Sequence, residues 1–120
     1  MITILVVDDA EDILFLLKIT LEKSGYSVRT ATTKAAFLAW LESADPDLII
    51  LDVMLGEDNG RDICQEIKLT NRKHIPIMLY SAVASNLADY KACEANDILE
   101  KPFELEVLLE KVRRLTGKAS

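Results

Sequence analysis

Cysteine is scarce: Cys64 and Cys93 are the only two in 120 residues. Two are too few for a disulfide scaffold, and their spacing fits no zinc motif. A single bridge between them stays open at the level of sequence, beside the commoner use of cysteine as a small apolar core residue. Histidine is scarcer still, with His74 alone, placed before Ile75-Pro76 where an exposed loop residue is expected. Positive charge is in deficit: 14 Lys and Arg face 20 Asp and Glu, a net of −6. A chain of that sign repels phosphate backbones, so no direct nucleic-acid contact is expected. Long apolar runs are missing too. No stretch approaches the ~20 residues that cross a bilayer. Met1 to Val7 lead into Asp8-Asp9 without the cationic start of a signal peptide. The expectation is a soluble, cytoplasmic chain with no membrane association. Repeats, low-complexity tracts and linkers are also lacking, so residues 1–120 are expected to form one domain with no effector attached.

What is present is half hydrophobic, enough for one core. Ile2 to Val7 is a short β-branched run that stops at Asp8-Asp9, as a strand buried on both faces does. Ile13, Leu14, Leu16, Leu17 and Leu21 then recur at helical spacing, with Gly25 as a C-terminal stop. Tyr26 to Ala31 is a more polar strand, nearer an edge. Thr32 or Thr33 caps a second helix through Leu41, in which Trp40 is a packing residue. After the Asp45-Pro46-Asp47 turn, Leu48 to Leu51 is the most apolar run of the chain and ends at Asp52. A polar loop spans Gly56 to Gly60, and Ile63, Cys64 and Ile67 mark a third helix. Pro76 opens a strand over Ile75 to Tyr80, followed by Ser81. A fourth, weakly patterned helix is expected over Asn86 to Glu94, a strand over Asp97 to Glu100, and a last amphipathic helix from Leu105 to Leu115. Strand and helix alternate five times. That pattern predicts an α/β fold: a doubly wound, five-stranded parallel sheet of flavodoxin-like order 2-1-3-4-5, with helices on both faces.

In such sheets ligands bind beyond the carboxyl ends of the strands. Those ends carry Asp8 and Asp9, Asp52, Ser81 and Lys101. Clustered carboxylates repel one another unless a counter-ion joins them. A hard divalent cation such as Mg²⁺ takes oxygen ligands and neutralises the set, since the three carboxylates, the Lys101 ammonium and a divalent ion sum to zero. A carboxylate can then act as nucleophile and carry an aspartyl-phosphate, with metal, ammonium and hydroxyl meeting the phosphoryl oxygens.

These residues, in this order over roughly residues 2 to 116, resemble the receiver domain of bacterial two-component response regulators. The resemblance implies Asp8-Asp9 as the acidic metal pair and Asp52 as the phosphoacceptor, with Gly60 as its loop glycine. It further implies Ser81-Ala82 as the switch hydroxyl with a small neighbour, and Lys101-Pro102-Phe103 as the lysine before a cis-proline. Mg²⁺, or Mn²⁺ in its place, would also take the backbone carbonyl of Met54. The implied partner is a histidine kinase or phosphotransfer protein. His74 supplies no phosphohistidine module, so the phosphate comes from elsewhere. The chain would be a signalling switch rather than an enzyme, with only its own phosphoryl transfer and slow self-dephosphorylation. Output would use the face of the fourth helix, fifth strand and fifth helix, where Lys91, Asp97, Ile98 and Arg113 fall, by binding a downstream protein or a second copy of the chain. Three positions depart from the family's habit: Gly56 stands for a proline, Glu94 for a glycine, and Ile98 for the aromatic switch residue.

Two other functions are weighed. One is a receiver-like binding module whose output ignores phosphorylation, favoured by Ile98. The other is a phosphohydrolase of the haloacid-dehalogenase kind, which needs a second aspartate two residues after the acceptor; Met54 stands there. A flavin carrier is disfavoured because no Ser/Thr-rich phosphate loop follows the first strand.

Overall fold

The computed structural model describes residues 1–88 and 90–117. Among them, five parallel strands form one sheet: β1 (Thr3–Val7), β2 (Ser27–Ala31), β3 (Leu48–Asp52), β4 (Ile77–Ser81) and β5 (Asp97–Glu100). Their order is β2-β1-β3-β4-β5, the doubly wound order expected from the alternation. Four α-helices accompany them: α1 (Glu11–Lys23), α2 (Lys34–Ser43), α3 (Gly60–Lys68) and α4 (Leu105–Thr116). The central strands β3 and β4 are buried along their whole length, whereas β2, more polar in sequence, lies at the edge.

Period-two alternation splits the strand residues between two apolar layers. Ile4, Val6, Ile50 and Met78 pack with Leu14, Leu17 and Leu21 of α1 and with Leu108 and Val112 of α4. Leu5, Val7, Ile49, Leu51 and Leu79 pack on the other side with Phe37 and Leu41 of α2 and Ile63 and Ile67 of α3. Each fully buried leucine or isoleucine contributes roughly 1.5–3 kcal/mol by leaving water. This burial, on both faces, is what fixes the sheet and so the strand ends.

Local signals set the boundaries. Thr33 caps α2, its Oγ1 accepting from the Ala36 N–H at 3.1 Å. Gly25, at φ 95°, carries the chain out of α1 in the left-handed region. Trp40 packs against the core while its indole N–H donates to the Thr30 carbonyl. His74 is exposed, as expected. Cys64 and Cys93 are free and buried, which closes the question of a bridge between them here.

Two expectations are corrected. The polar loop after β3 contains a small antiparallel hairpin that pairs Met54–Leu55 with Asp58–Asn59. The fourth helix expected over Asn86 to Glu94 is not α-helical. Its described part is made of short 3₁₀ turns, Ala84–Asn86 and Tyr90–Cys93, and residue 89 lies outside the described residues. The cause is thin burial: among the described side chains of this segment only Leu87 and Cys93 are buried before Ala95, with Tyr90 half-buried against the core. Helices draw most of their stability from a buried face, and here there is too little of one. The segment ends with Glu94 at φ 64°, the position where the family's glycine is replaced. A left-handed backbone costs a β-carbon-bearing residue about 1 kcal/mol.

Candidate functional site

The carboxyl ends of β1, β3, β4 and β5 bring the sequence-nominated residues to one edge. Asp8 and Asp9 follow β1 directly, Asp52 ends β3, Ser81 ends β4, and Lys101 follows β5. Asp8, Asp9 and Asp52 each offer an oxygen, and these oxygens lie within 4.8 Å of one another. Asp8 and Asp52 are buried; Asp9 is exposed. Lys101 Nζ stands between the buried pair, 3.1 Å from Asp8 Oδ2 and 3.4 Å from Asp52 Oδ2. The Lys101–Pro102 peptide bond is cis.

Each acid is held by a different device. The Ala10 N–H donates to Asp8 Oδ1 at 2.9 Å, and the Tyr80 hydroxyl donates to Asp8 Oδ2 at 2.5 Å. The Gly56 N–H donates to Asp9 Oδ2 at 3.0 Å. The Met54 N–H donates to Asp52 Oδ1 at 3.0 Å. Neither Asp8 nor Asp9 caps α1, whose N-cap Ala10 has no side-chain hydrogen bond. Gly60 is needed for packing: a Cβ there would lie 2.2 Å from the Asp52 carbonyl oxygen, so only glycine lets α3 start directly beneath the acid.

The electrostatics separate two carboxylates of the same type. Burial pushes Asp52 up to about 6, helped by Asp8 beside it and opposed by the Met54 N–H and by Lys101. Burial also acts to raise Asp8, but hydrogen bonds from Tyr80, the Ala10 N–H, Asp52 and Lys101 outweigh it and hold Asp8 below the ordinary carboxylate value. Desolvation and the neighbouring Asp8 push the Tyr80 phenol far above its usual range, so it remains a neutral donor. The donor set consists of hard oxygens with mutual repulsion built in. A divalent oxygen-seeking cation fits it, and a soft metal does not.

Ser81 is buried, and its Oγ accepts from the Val83 N–H at 3.1 Å and from Asn86 Nδ2 at 3.4 Å. Its carbonyl accepts from the Lys101 N–H at 2.9 Å, which ties the ends of β4 and β5 together. Met54 is exposed at the start of the hairpin.

The residues nominated for an output face do not form one contact. Lys91 is exposed, Arg113 and Ile98 are half-buried, and Ile98 packs at the margin of the core. Asp97 pairs with Lys111 Nζ at 3.2 Å and with Arg114, while Lys111 also donates to the Ile98 carbonyl. The sequence alone did not point to Lys111 and Arg114 here, nor to Tyr80 near the end of β4 and Asn86 in the 3₁₀ turn after it. Tyr80 carried one available signal: a tyrosine in an apolar strand usually finds a partner for its hydroxyl when buried.

Comparisons with known proteins agree with this geometry. A family model described as the response regulator receiver domain matches residues 4–113. The alkaline phosphatase synthesis transcriptional regulatory protein PhoP of Bacillus subtilis is 36% identical over 118 residues, covering 97% of this chain and 49% of that protein. The DNA-binding dual master transcriptional regulator RpaA of Synechocystis is 35% identical over 115 residues, covering 93% of this chain and 48% of that one. The chain thus spans about half the length of these curated relatives. Among solved structures, response regulator TrrA of Thermotoga maritima, in complex with Mg²⁺ and BeF, aligns with a TM-score of 0.87 at 34% identity, covering 96% of this chain and 99% of that one. The receiver domain of NtrX from Brucella abortus aligns with a TM-score of 0.88 at 29% identity, covering 97% of this chain and 99% of that one.

Proposed function

This chain belongs to the response regulator receiver domain family, and from that premise we propose how its own residues run a phosphorylation switch. Asp52 is the phosphoacceptor. The observation that carries this reading is the convergence of Asp8, Asp9 and Asp52 within 4.8 Å, with Lys101 between the buried pair.

A carboxylate oxygen of Asp52 attacks the phosphorus of a phosphohistidine on a kinase or phosphotransfer protein. The P–N bond breaks, the imidazole leaves with the electron pair, and an acyl phosphate remains on Asp52. Lys101 is the resident cation that offsets charge on the transferring oxygens. Ser81 Oγ accepts two hydrogen bonds, which leaves its own proton free to donate to a phosphoryl oxygen. Asp8, Asp9, Asp52 and the Met54 carbonyl would hold Mg²⁺, with Mn²⁺ as a substitute; when bound, the ion supplies the charge that lets three carboxylates and a phosphoryl group share one site. No other chemistry is assigned beyond slow loss of the phosphoryl group to water.

The donor protein has an apolar footing beside the site. A cleft of about 450 Å³ lies against Lys101, lined by Ile13 and Leu16 of α1 and by Ala82, Pro102, Phe103 and Leu105. Output is assigned to the face of the 90–93 turn, β5 and α4, where Lys91, Asp97, Ile98 and Arg113 fall, through a downstream protein or a homodimer. Residues 1–120 are read as one receiver unit.

Intact-mass measurement tests the central step. Incubation with a small phosphodonor and Mg²⁺ should add one phosphoryl group to the wild type and none to Asp52→Asn. An unchanged wild-type mass, or a modified Asp52→Asn, would overturn it. A second reading, in which binding ignores phosphorylation, has one observation in its favour: Ile98 gives β5 no aromatic ring to reorient. Partner affinity unchanged by beryllofluoride would favour it.

A further inference from the structure

Tyr80 is fully buried in the core layer that faces α1 and α4. It stands in register with Asp52 on the adjacent strand, so both side chains rise from the same face of the sheet. Its hydroxyl passes beyond β3 and reaches Asp8 at the end of β1, 2.5 Å from Oδ2. Its ring carries Lys101 Nζ at 4.3 Å from the centroid. A phenylalanine would fill the same volume and keep the same cation–π contact, so the hydroxyl is specific to Asp8. Packing alone does not require it: Tyr26 is buried with its hydroxyl unpartnered.

Hydrogen bonds from a neutral O–H to a carboxylate are short and strong, and they draw negative charge off the acceptor. Asp8 does not need Tyr80 for its orientation. The Ala10 N–H already fixes Oδ1, and Lys101 already engages Oδ2. Deleting the hydroxyl would therefore leave Asp8 in place but return charge to it. We propose that Tyr80 is a positioning residue that acts through Asp8 to weaken the site's hold on a divalent cation, raising the Mg²⁺ concentration at which the switch becomes competent. This deepens the reading above and rests on Asp8 being a metal ligand.

The test is Tyr80→Phe, compared with wild type by calorimetric titration with Mg²⁺ alone. The dissociation constant should fall about 5–10-fold, as expected for one charged hydrogen bond partly compensated by the others. Phosphorylation from a small donor should reach half its maximal rate at correspondingly lower Mg²⁺, with the rate at saturating Mg²⁺ unchanged. A merely structural tyrosine would not produce that split. An equal or larger dissociation constant in Tyr80→Phe overturns the proposal while leaving the metal site intact. Wild type that binds no Mg²⁺ removes the metal reading and this proposal together. If Tyr80→Phe fails to fold, the wild-type near-ultraviolet tyrosine band decides: Mg²⁺ should perturb it, and the perturbation should persist in Tyr26→Phe and Tyr90→Phe. A silent band overturns the proposal.

Discussion

Gly56 donates its backbone N–H to Asp9 Oδ2 at 3.0 Å while adopting φ 60°. This is the position where receiver domains often carry proline, and a proline could satisfy neither condition, since it lacks the N–H and holds φ near −65°. The exposed acid of the carboxylate cluster is thus anchored by the residue that departs from the family's habit. Gly56→Ala keeps the N–H and strains only the backbone. It should lower stability by about 1 kcal/mol and leave Mg²⁺ affinity unchanged. Gly56→Pro should lower stability further and also weaken Mg²⁺ binding several-fold. Denaturant melts and calorimetric titration separate the two effects; equal Mg²⁺ affinity in both variants would contradict the anchoring role.

Asp52 gives a pH dependence with a definite sign. Its carboxyl is raised from 3.8 to about 6 in the folded protein, chiefly by burial, so the native state prefers it protonated. Relative to the unfolded chain, its contribution is fully favourable below about pH 4 and is lost as pH rises through about 6. Asp52→Asn removes that loss. Without divalent ions, the variant should exceed wild type by on the order of 2 kcal/mol at pH 7.5, with the advantage shrinking as pH falls below 6 and gone near 4. Urea melts in a chelator across that range check it, and a constant difference at every pH would contradict the assignment. Added Mg²⁺ should narrow the gap at pH 7.5 by stabilising wild type more than the variant.

Gly60 and Asp52 meet backbone to backbone. Because a Cβ at residue 60 would sit 2.2 Å from the Asp52 carbonyl oxygen and 2.9 Å from Val53 Cα, both backbone atoms at the end of β3, no side-chain adjustment relieves the clash. Gly60→Ala should cost about 2–3 kcal/mol and displace the start of α3 from the acceptor. Thermal melts read the cost. Amide chemical-shift changes should concentrate at residues 52–62; changes spread evenly over the chain would speak against a local clash.

The strand-end residues were legible in the sequence for a topological reason. Once strand and helix alternate, the residues that stop each apolar run must gather at one edge, so Asp8, Asp52, Ser81 and Lys101 could be named without coordinates. Tyr80 was not legible because its partner lies 72 residues away, and in sequence it is merely the last apolar position of β4. Gly56 was visible only as a departure; its use depends on where Asp9 lies. The α-helix expected over Asn86 to Glu94 is absent from the described residues because the local pattern does not report how few of the described side chains find the core. On α4 the pairing of Arg114 with Asp97 was not legible, because nothing local in the sequence reports which residue of that helix meets β5.

The Asp97 pairing shapes the output prediction. Asp97 is already engaged within the chain by Lys111 and Arg114, whereas Arg113, half-buried on the same helix, and the exposed Lys91 are the nominated cations offered to a second molecule. Arg113→Glu should therefore abolish beryllofluoride-dependent dimerisation, read by sedimentation velocity, while leaving phosphorylation of Asp52 intact. Persistence of the dimer in that variant would remove the α4 face from the output surface.

Ser81 couples the site to the 3₁₀ turns that follow β4. Its Oγ accepts from the Val83 N–H and from Asn86 Nδ2, and Asn86 ends the first of the 3₁₀ turns that replace the expected helix. If the hydroxyl turns to a phosphoryl oxygen, its geometry relative to both donors changes, and among the described side chains of residues 85–94 only Leu87 and Cys93 are buried to resist following it. Ser81→Ala keeps Asp52, Lys101 and the acidic cluster, so phosphorylation should continue. What should be lost is the link: beryllofluoride would no longer alter amide exchange in residues 83–94, although it would still bind. Asn86→Ala should weaken the same response partially, because the Val83 N–H contact survives. Hydrogen exchange with and without beryllofluoride reads both variants, and an undiminished response in Ser81→Ala would place the transmission elsewhere, leaving Ile98 and the β5 edge as the route from acceptor to partner.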